Sequence, residues 1–106
     1  MICMMTARRI EPGKTEDFLE QFESGVDKIP DDLRERFSGV YACRDIRDEN
    51  VVLTFGLFDG SLEDLREIQS RDEREQQLAE IAPFIAEELY DGSFQVIKEF
   101  VGAAAR

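Results

Sequence analysis

The stretch NVVLTFGLFDGSLEDL, residues 50 to 65, reads as a strand running into a helix. Val51, Leu53, Phe55 and Leu57 are all large and apolar. The alternate positions, Val52, Thr54, Gly56 and Phe58, mix large with small and add a hydroxyl and a glycine. Successive side chains on a strand point to opposite sides of the sheet. The continuously apolar set is expected beneath helices, and the mixed set is expected to look away from them.

The rest of the chain supplies those helices. Residues 2 to 9, ICMMTARR, are an apolar run that turns basic, a first strand whose Arg8 and Arg9 read as solvated. Glu11-Pro12-Gly13-Lys14 follows. Proline suits the first turn of a helix, and Glu16 and Asp17 stand where negative charge is favoured. Phe18, Phe22, Val26 and Ile29 form a stripe at helical spacing, which Pro30 ends. Residues 31 to 37 make a short helical piece. Residues 39 to 46, GVYACRDI, are a second strand, and 47 to 50 have turn chemistry, so the second and third strands form a hairpin. Ser61 with Asp64 has the pattern of a capped helix start. Leu78, Ile81, Ala82, Ile85 and Leu89 predict a helix over 72 to 90, kinked near Ala82 by Pro83. Residues 93 to 101, SFQVIKEFV, predict the last strand. The order is β-α-β-β-α-β, an α+β ferredoxin-like protomer with a four-stranded antiparallel sheet and helices on one face. Residues 1 to 102 form a single domain, and 103 to 106 a frayed tail.

Helices on one face leave the other bare. The alternate sets on the first strand, Ile2, Met4, Thr6 and Arg8 against Cys3, Met5, Ala7 and Arg9, show no clean polar side. A face that apolar marks an interface or a ligand site. Charge narrows the partners. Twenty-four acidic residues against 13 basic give a net charge of −11, which argues against nucleic acid and against an anionic membrane surface. No run is long and apolar enough for a membrane span, and the start lacks a signal-peptide pattern. Cys3 and Cys43 read as reduced, buried thiols of a cytoplasmic protein. There is no histidine and no tryptophan. Mechanisms that need a histidine base or ligand are excluded, and two cysteines do not complete a metal site.

The strand followed by Glu11-Pro12-Gly13-Lys14, the acidic helix with Phe18 and Phe22, the hairpin with its acidic turn and the junction LFDGSLEDL (57 to 65) resemble the dimeric α/β-barrel superfamily. Its antibiotic-biosynthesis-monooxygenase-like members are the nearest in pattern, over nearly the whole chain. The resemblance implies two copies packed bare sheet face to bare sheet face, and a cavity for a small aromatic or polyketide-like ligand. It implies no cofactor. Many members carry tryptophan where Phe58 stands, and histidine, tryptophan and asparagine serve the active sites of studied members. Here the only asparagine is Asn50, in the turn, so haem degradation is not expected.

The candidate catalytic residues are Arg44 and Tyr41. Arg44 interrupts an apolar strand. An odd-numbered hairpin loop pairs it with Thr54 on the bare face, beside Ala42 and Gly56, and keeps Tyr41, Cys43, Phe55 and Leu57 together in the core. There its guanidinium would hold a carboxylate or an enolate. An ion pair with Asp45, Glu99 or a partner's carboxylate accounts for it more simply. Met4, Thr6, Thr54, Gly56 and Phe58 are the candidate pocket residues. Three functions compete: a cofactor-independent monooxygenase or related enzyme, a non-catalytic small-molecule-binding module, and a homodimerisation module.

Overall fold

The computed structural model describes residues 1–101, so the expected tail, 103 to 106, lies outside the described residues. The elements are β1 (Ile2–Ile10), α1 (Thr15–Asp27), α2 (Asp31–Arg34), β2 (Phe37–Arg44), β3 (Val51–Phe58), α3 (Leu62–Gln69), α4 (Asp72–Ile81) and β4 (Ile85–Gln95). The strands form one antiparallel sheet in the order β2-β3-β1-β4. This is the ferredoxin-like α+β arrangement.

Several boundaries differ from expectation: α2 ends at Arg34 and not at 37, and β2 spans Phe37–Arg44 and not 39 to 46. Pro12 and Gly13 form a turn before α1 rather than its first residues. Lys14 N–H donates to the Glu11 carbonyl at 3.0 Å, and Gly13 has φ +79°, the left-handed value that such a turn asks of glycine. The helix predicted over 72 to 90 stops at Ile81. Ala82–Phe84 makes one 3-10 turn around Pro83, and the chain becomes β4 at Ile85. Ile85 pairs with Ile10, and Tyr90 with Ala7. The last strand therefore occupies 85 to 95 and not 93 to 101. It ends where β1 runs out of partners: Ile2 pairs with Gln95, and Val96 N–H closes the ladder on the Met1 carbonyl at 2.9 Å.

The two faces of β3 are the reverse of the expectation. Val52, Thr54, Gly56 and Phe58 are the buried positions, while Val51, Leu53, Phe55 and Leu57 are only partly covered. Val52 joins Ile10, Phe18 and Ile81 in the core, with Phe22, Phe84 and Ile85 packed against them. The helices thus lie over the mixed set.

Register carries this reversal across the sheet. Met4 pairs with Gly56, Thr6 with Thr54 and Arg8 with Val52. Ala42 also pairs with Thr54, and Arg44 with Val52. Arg44 shares a face with Ala42, Thr54 and Gly56, as an odd loop requires, but two positions from the expected partner and on the helix side. Tyr41, Cys43, Phe55 and Leu57 do stand together, on the open face rather than in the core. Cys43 is exposed and Cys3 partly so, and both are free thiols.

The junction into α3 is capped as its sequence predicts. Asp64 N–H donates to Ser61 Oγ at 3.1 Å, and Ser61 N–H donates back to Asp64 Oδ2 at 3.0 Å. Arg36 Nη2 donates to the same Oδ2 at 2.9 Å, tying the start of β2 to α3. The Ser61 amide, then Arg36 and the Ser61 hydroxyl, hold the Asp64 carboxyl down to about 2. A carboxylate depressed below its unfolded value, roughly 3.9, stabilises the fold above that value and loses the effect as pH falls towards the folded value. Asp64→Asn should therefore be less stable than the parent at pH 6 by urea denaturation, with the gap closing between about pH 4 and pH 2. A gap that stays constant across that window would contradict the assignment.

Candidate functional site

Side chains too small to fill the space beneath the helices leave a cavity of about 120 Å³ between the sheet and the layer of α1 and α4. Thr6, Thr54, Gly56 and Ser93 contribute to its floor from three adjacent strands. A β-carbon at Gly56 would stand 3.2 Å from the Phe37 ring, which would have to shift by a few tenths of an ångström to admit it. Met4, Phe37 and Val40 from the sheet, Phe22, Val26 and Ile29 along α1, and Leu78 and Ile81 from α4 make the apolar walls. The α1 stripe thus lines a cavity beyond Phe18, where it makes core.

The polar groups in this lining are the chemistry of the site. Arg8, read as solvated at the end of a strand, is 6% exposed, and Thr54 is 5% exposed. Arg8 Nη1 donates to Thr54 Oγ1 at 3.2 Å, and its guanidinium carbon lies 5.8 Å from the centre of the Phe18 ring. Among the described residues no fully buried side-chain nitrogen or oxygen lacks a hydrogen-bond partner. The guanidinium nitrogens not engaged with Thr54 therefore keep accessible surface, and the cavity is the space that Arg8 borders. Burial lowers the Arg8 pKa, Glu88 and Asp91 push it back up, and nearby Arg74 adds a lowering effect. An arginine stays protonated through such shifts, so the cavity holds a fixed positive charge. Arg74 on α4 lines it too, as does Asp91 on β4, whose Oδ1 accepts from Thr6 Oγ1 at 2.9 Å.

Met4, Thr6, Thr54 and Gly56, singled out in the sequence, border this cavity, which lies beneath the helices and not on the bare face. Phe58 is fully buried beside it, its ring 5.1 Å from that of Phe37 and beneath Arg36. Arg44 and Tyr41 do not border the cavity. Arg44 is exposed at the end of the hairpin with residues 45 to 50. Tyr41 is half exposed on the open face, stacked on Phe55 at 4.9 Å. Sequence reading missed Arg8 and Arg74. The available signal was parity: Arg8 shares the alternate set with Met4 and Thr6. Among the described residues no three His, Cys, Asp or Glu side chains converge as a metal site would need.

A second hollow of about 140 Å³ lies on the outer side of the helix layer, lined by Gly25, Lys28, Pro30, Leu33 and Ile68 among others. Ile29, Arg74 and Gln77 border both spaces. They form the partition between inner cavity and helix surface.

No family model matches the chain, and no curated protein matches it in sequence. Solved structures do match it. The chain is similar to a provisionally assigned antibiotic biosynthesis monooxygenase from Caulobacter crescentus, at 16% identity over 92% of this chain and 90% of that one, with a TM-score of 0.77. The fold is the antibiotic-biosynthesis-monooxygenase-like one. A provisionally assigned protein of the same kind from Bordetella bronchiseptica matches at 13% identity over 92% of this chain and 97% of that one, TM-score 0.74. An uncharacterized NIPSNAP domain protein from Burkholderia xenovorans matches at 16% identity over 96% and 99%, TM-score 0.64. At such identities the likeness is one of fold.

The Arg8–Thr54 bond gives a direct test of the site's construction. Thr54→Val keeps the shape and removes the acceptor. It should cost about 1 to 3 kcal/mol, since a charged donor loses its protein partner. Urea denaturation measures the loss, and an unchanged midpoint would show that the bond contributes nothing.

Proposed function

We propose that this chain binds a small aromatic or polyketide-like molecule in the cavity between sheet and helices and acts on it as a cofactor-independent monooxygenase or a related enzyme. It would do so as a cytoplasmic homodimer joined through the open sheet face. The observation that carries the reading is an apolar-walled cavity with a buried cation, on an antibiotic-biosynthesis-monooxygenase-like fold. A substrate that has lost a proton to solvent can pass an electron to dioxygen without a cofactor. The radical pair recombines to a carbon-bound peroxide, which is protonated; loss of the hydrogen on that carbon with cleavage of the O–O bond then leaves a carbonyl and releases the second oxygen as water. The chain's contribution would be to hold that anion near Arg8 and keep water away from it.

The open face supports the dimer. Tyr41, Tyr90 and Phe94 are each about half exposed there, with Tyr90 and Phe94 stacked at 6.0 Å and Tyr41 on Phe55. Contiguous aromatic surface of this kind marks an interface. A non-catalytic binding or homodimerisation module is the second reading. It is favoured by one fact: neither Arg44 nor Tyr41, the residues first expected to do chemistry, borders the cavity.

A native mass spectrum of the purified protein tests both parts. A dimer carrying an extra mass of about one to a few hundred daltons per chain, that of a bound small molecule, is the expected result. Identification of that molecule, followed by oxygen uptake with it, separates enzyme from binding module. A monomer would remove the proposed assembly. With a dimeric parent, Tyr41→Asp should halve the mass measured by light scattering while leaving the circular dichroism of the chain unchanged.

A further inference from the structure

We propose that the cavity selects an aromatic anion of a single ring, with Arg8 and Arg74 holding its charged oxygen. The inference rests on the pocket function just proposed and narrows its ligand class.

Size sets the ring count. A water molecule's share of volume is about 30 Å³, and an apolar protein cavity of roughly 150 Å³ takes up benzene. The space is a cleft open on one side, where Leu78, Asp91 and Ser93 are exposed, and the volume of about 120 Å³ between its walls seats one ring of a ligand. Phe22, Phe37 and Leu78 offer the apolar surfaces against which such a ring would lie.

Charge sets the sign. A chain with a net charge of −11 has placed an arginine in its interior with no carboxylate in ion-pair reach. Among the ion pairs of the described residues, neither Arg8 nor Arg74 has a partner. Two carboxylates come near. Glu88 pairs with Arg8 in the β1–β4 ladder but does not line the cavity. Asp91 does line it, and one of its oxygens already accepts from Thr6. Arg8 lines the cavity, and Thr54 is the one hydrogen-bond partner of its guanidinium among the described residues. Burying a charge is costly unless it is paired and hydrogen-bonded, and an anionic oxygen would supply both. A guanidinium takes a carboxylate in bidentate fashion and a phenolate through fewer donors. Both anions share the recognised group.

The test is a calorimetric titration of the full chain with benzoate and 4-nitrophenolate, each beside its uncharged counterpart, benzamide and nitrobenzene. At least one anion should bind about tenfold or more tightly than its counterpart, the difference expected of a charge-assisted contact. Which anion shows the preference tells carboxylate from phenolate. Arg74→Gln, on a helix surface and outside the core cluster, should cut affinity for the preferred anion about tenfold and leave the neutral compounds unaffected. Arg8→Lys should do the same and keep the positive charge. If the neutral compounds bind as well as the anions, or if both variants bind the anion as the parent does, the proposal fails while the pocket reading stands. If none of the four compounds binds, the single-ring proposal fails, and the native mass spectrum decides the pocket reading separately.

Discussion

Ile10, Phe18, Val52 and Ile81 meet at one end of the sheet and hold the helix layer against it. Each is essentially buried, and full burial of such a side chain is worth about 1.5 to 3 kcal/mol. At the opposite end Ile2 and Phe58 face each other across β1 and β3 and are buried as well. Between these ends the same two strands carry Met4 against Gly56 and Thr6 against Thr54. The helices are fixed at a height set by the large residues. The small ones cannot reach them, and a gap remains. The cavity is therefore a by-product of two well-packed ends, which is why it combines apolar walls with a floor of hydroxyls and backbone.

That construction also explains the buried arginine. Arg8 sits between the clamp residue Ile10 and the floor residue Thr6, on the same face as both. Its guanidinium lies over the Phe18 ring and reaches Thr54 at the cavity edge. Long cationic side chains commonly bury the stem and keep the charged end where polar partners or water can reach it. Here the polar region is internal.

Much of the architecture was legible because glycine and proline act locally. Pro30, Asp59-Gly60 and the Ser61–Asp64 box mark element ends that the structure keeps, and the order β-α-β-β-α-β follows from them. What was not legible depended on contacts between distant segments. A period of two says that β3 has two faces but not which one meets the helices; Phe18 and Phe22, thirty and more positions away, decide that. Ile81, Ile85 and Leu89 recur every four residues, a spacing that fits one side of a helix and one side of a strand equally. Pro83 turns the helix off at that point, and Ile10 supplies the strand partner. The pocket residues Met4, Thr6, Thr54, Gly56 and Phe58 were chosen as members of one alternate set, expected on the bare face, and that shared parity survives the exchange of faces. Arg44 was chosen for its contrast with an apolar strand, yet at a strand end such contrast marks the surface. Arg8 had the same contrast and a different fate, because β4 and α1 close over it.

The hydrogen bond between Thr6 and Asp91 joins positions separated by 85 residues. β1 lies in the middle of the sheet and precedes the other strands along the chain, yet one of its two neighbours is the last strand of the fold. Closing such a long loop costs entropy before any contact repays it, and sheets dominated by distant pairings fold slowly. During synthesis β1 must wait, apolar and unpaired on one edge, until Gln95 has left the ribosome. The cavity floor is complete only then. A ligand held there would be linked to the intact fold and not to any fragment of it, so its binding would act on the stability of the whole sheet at once.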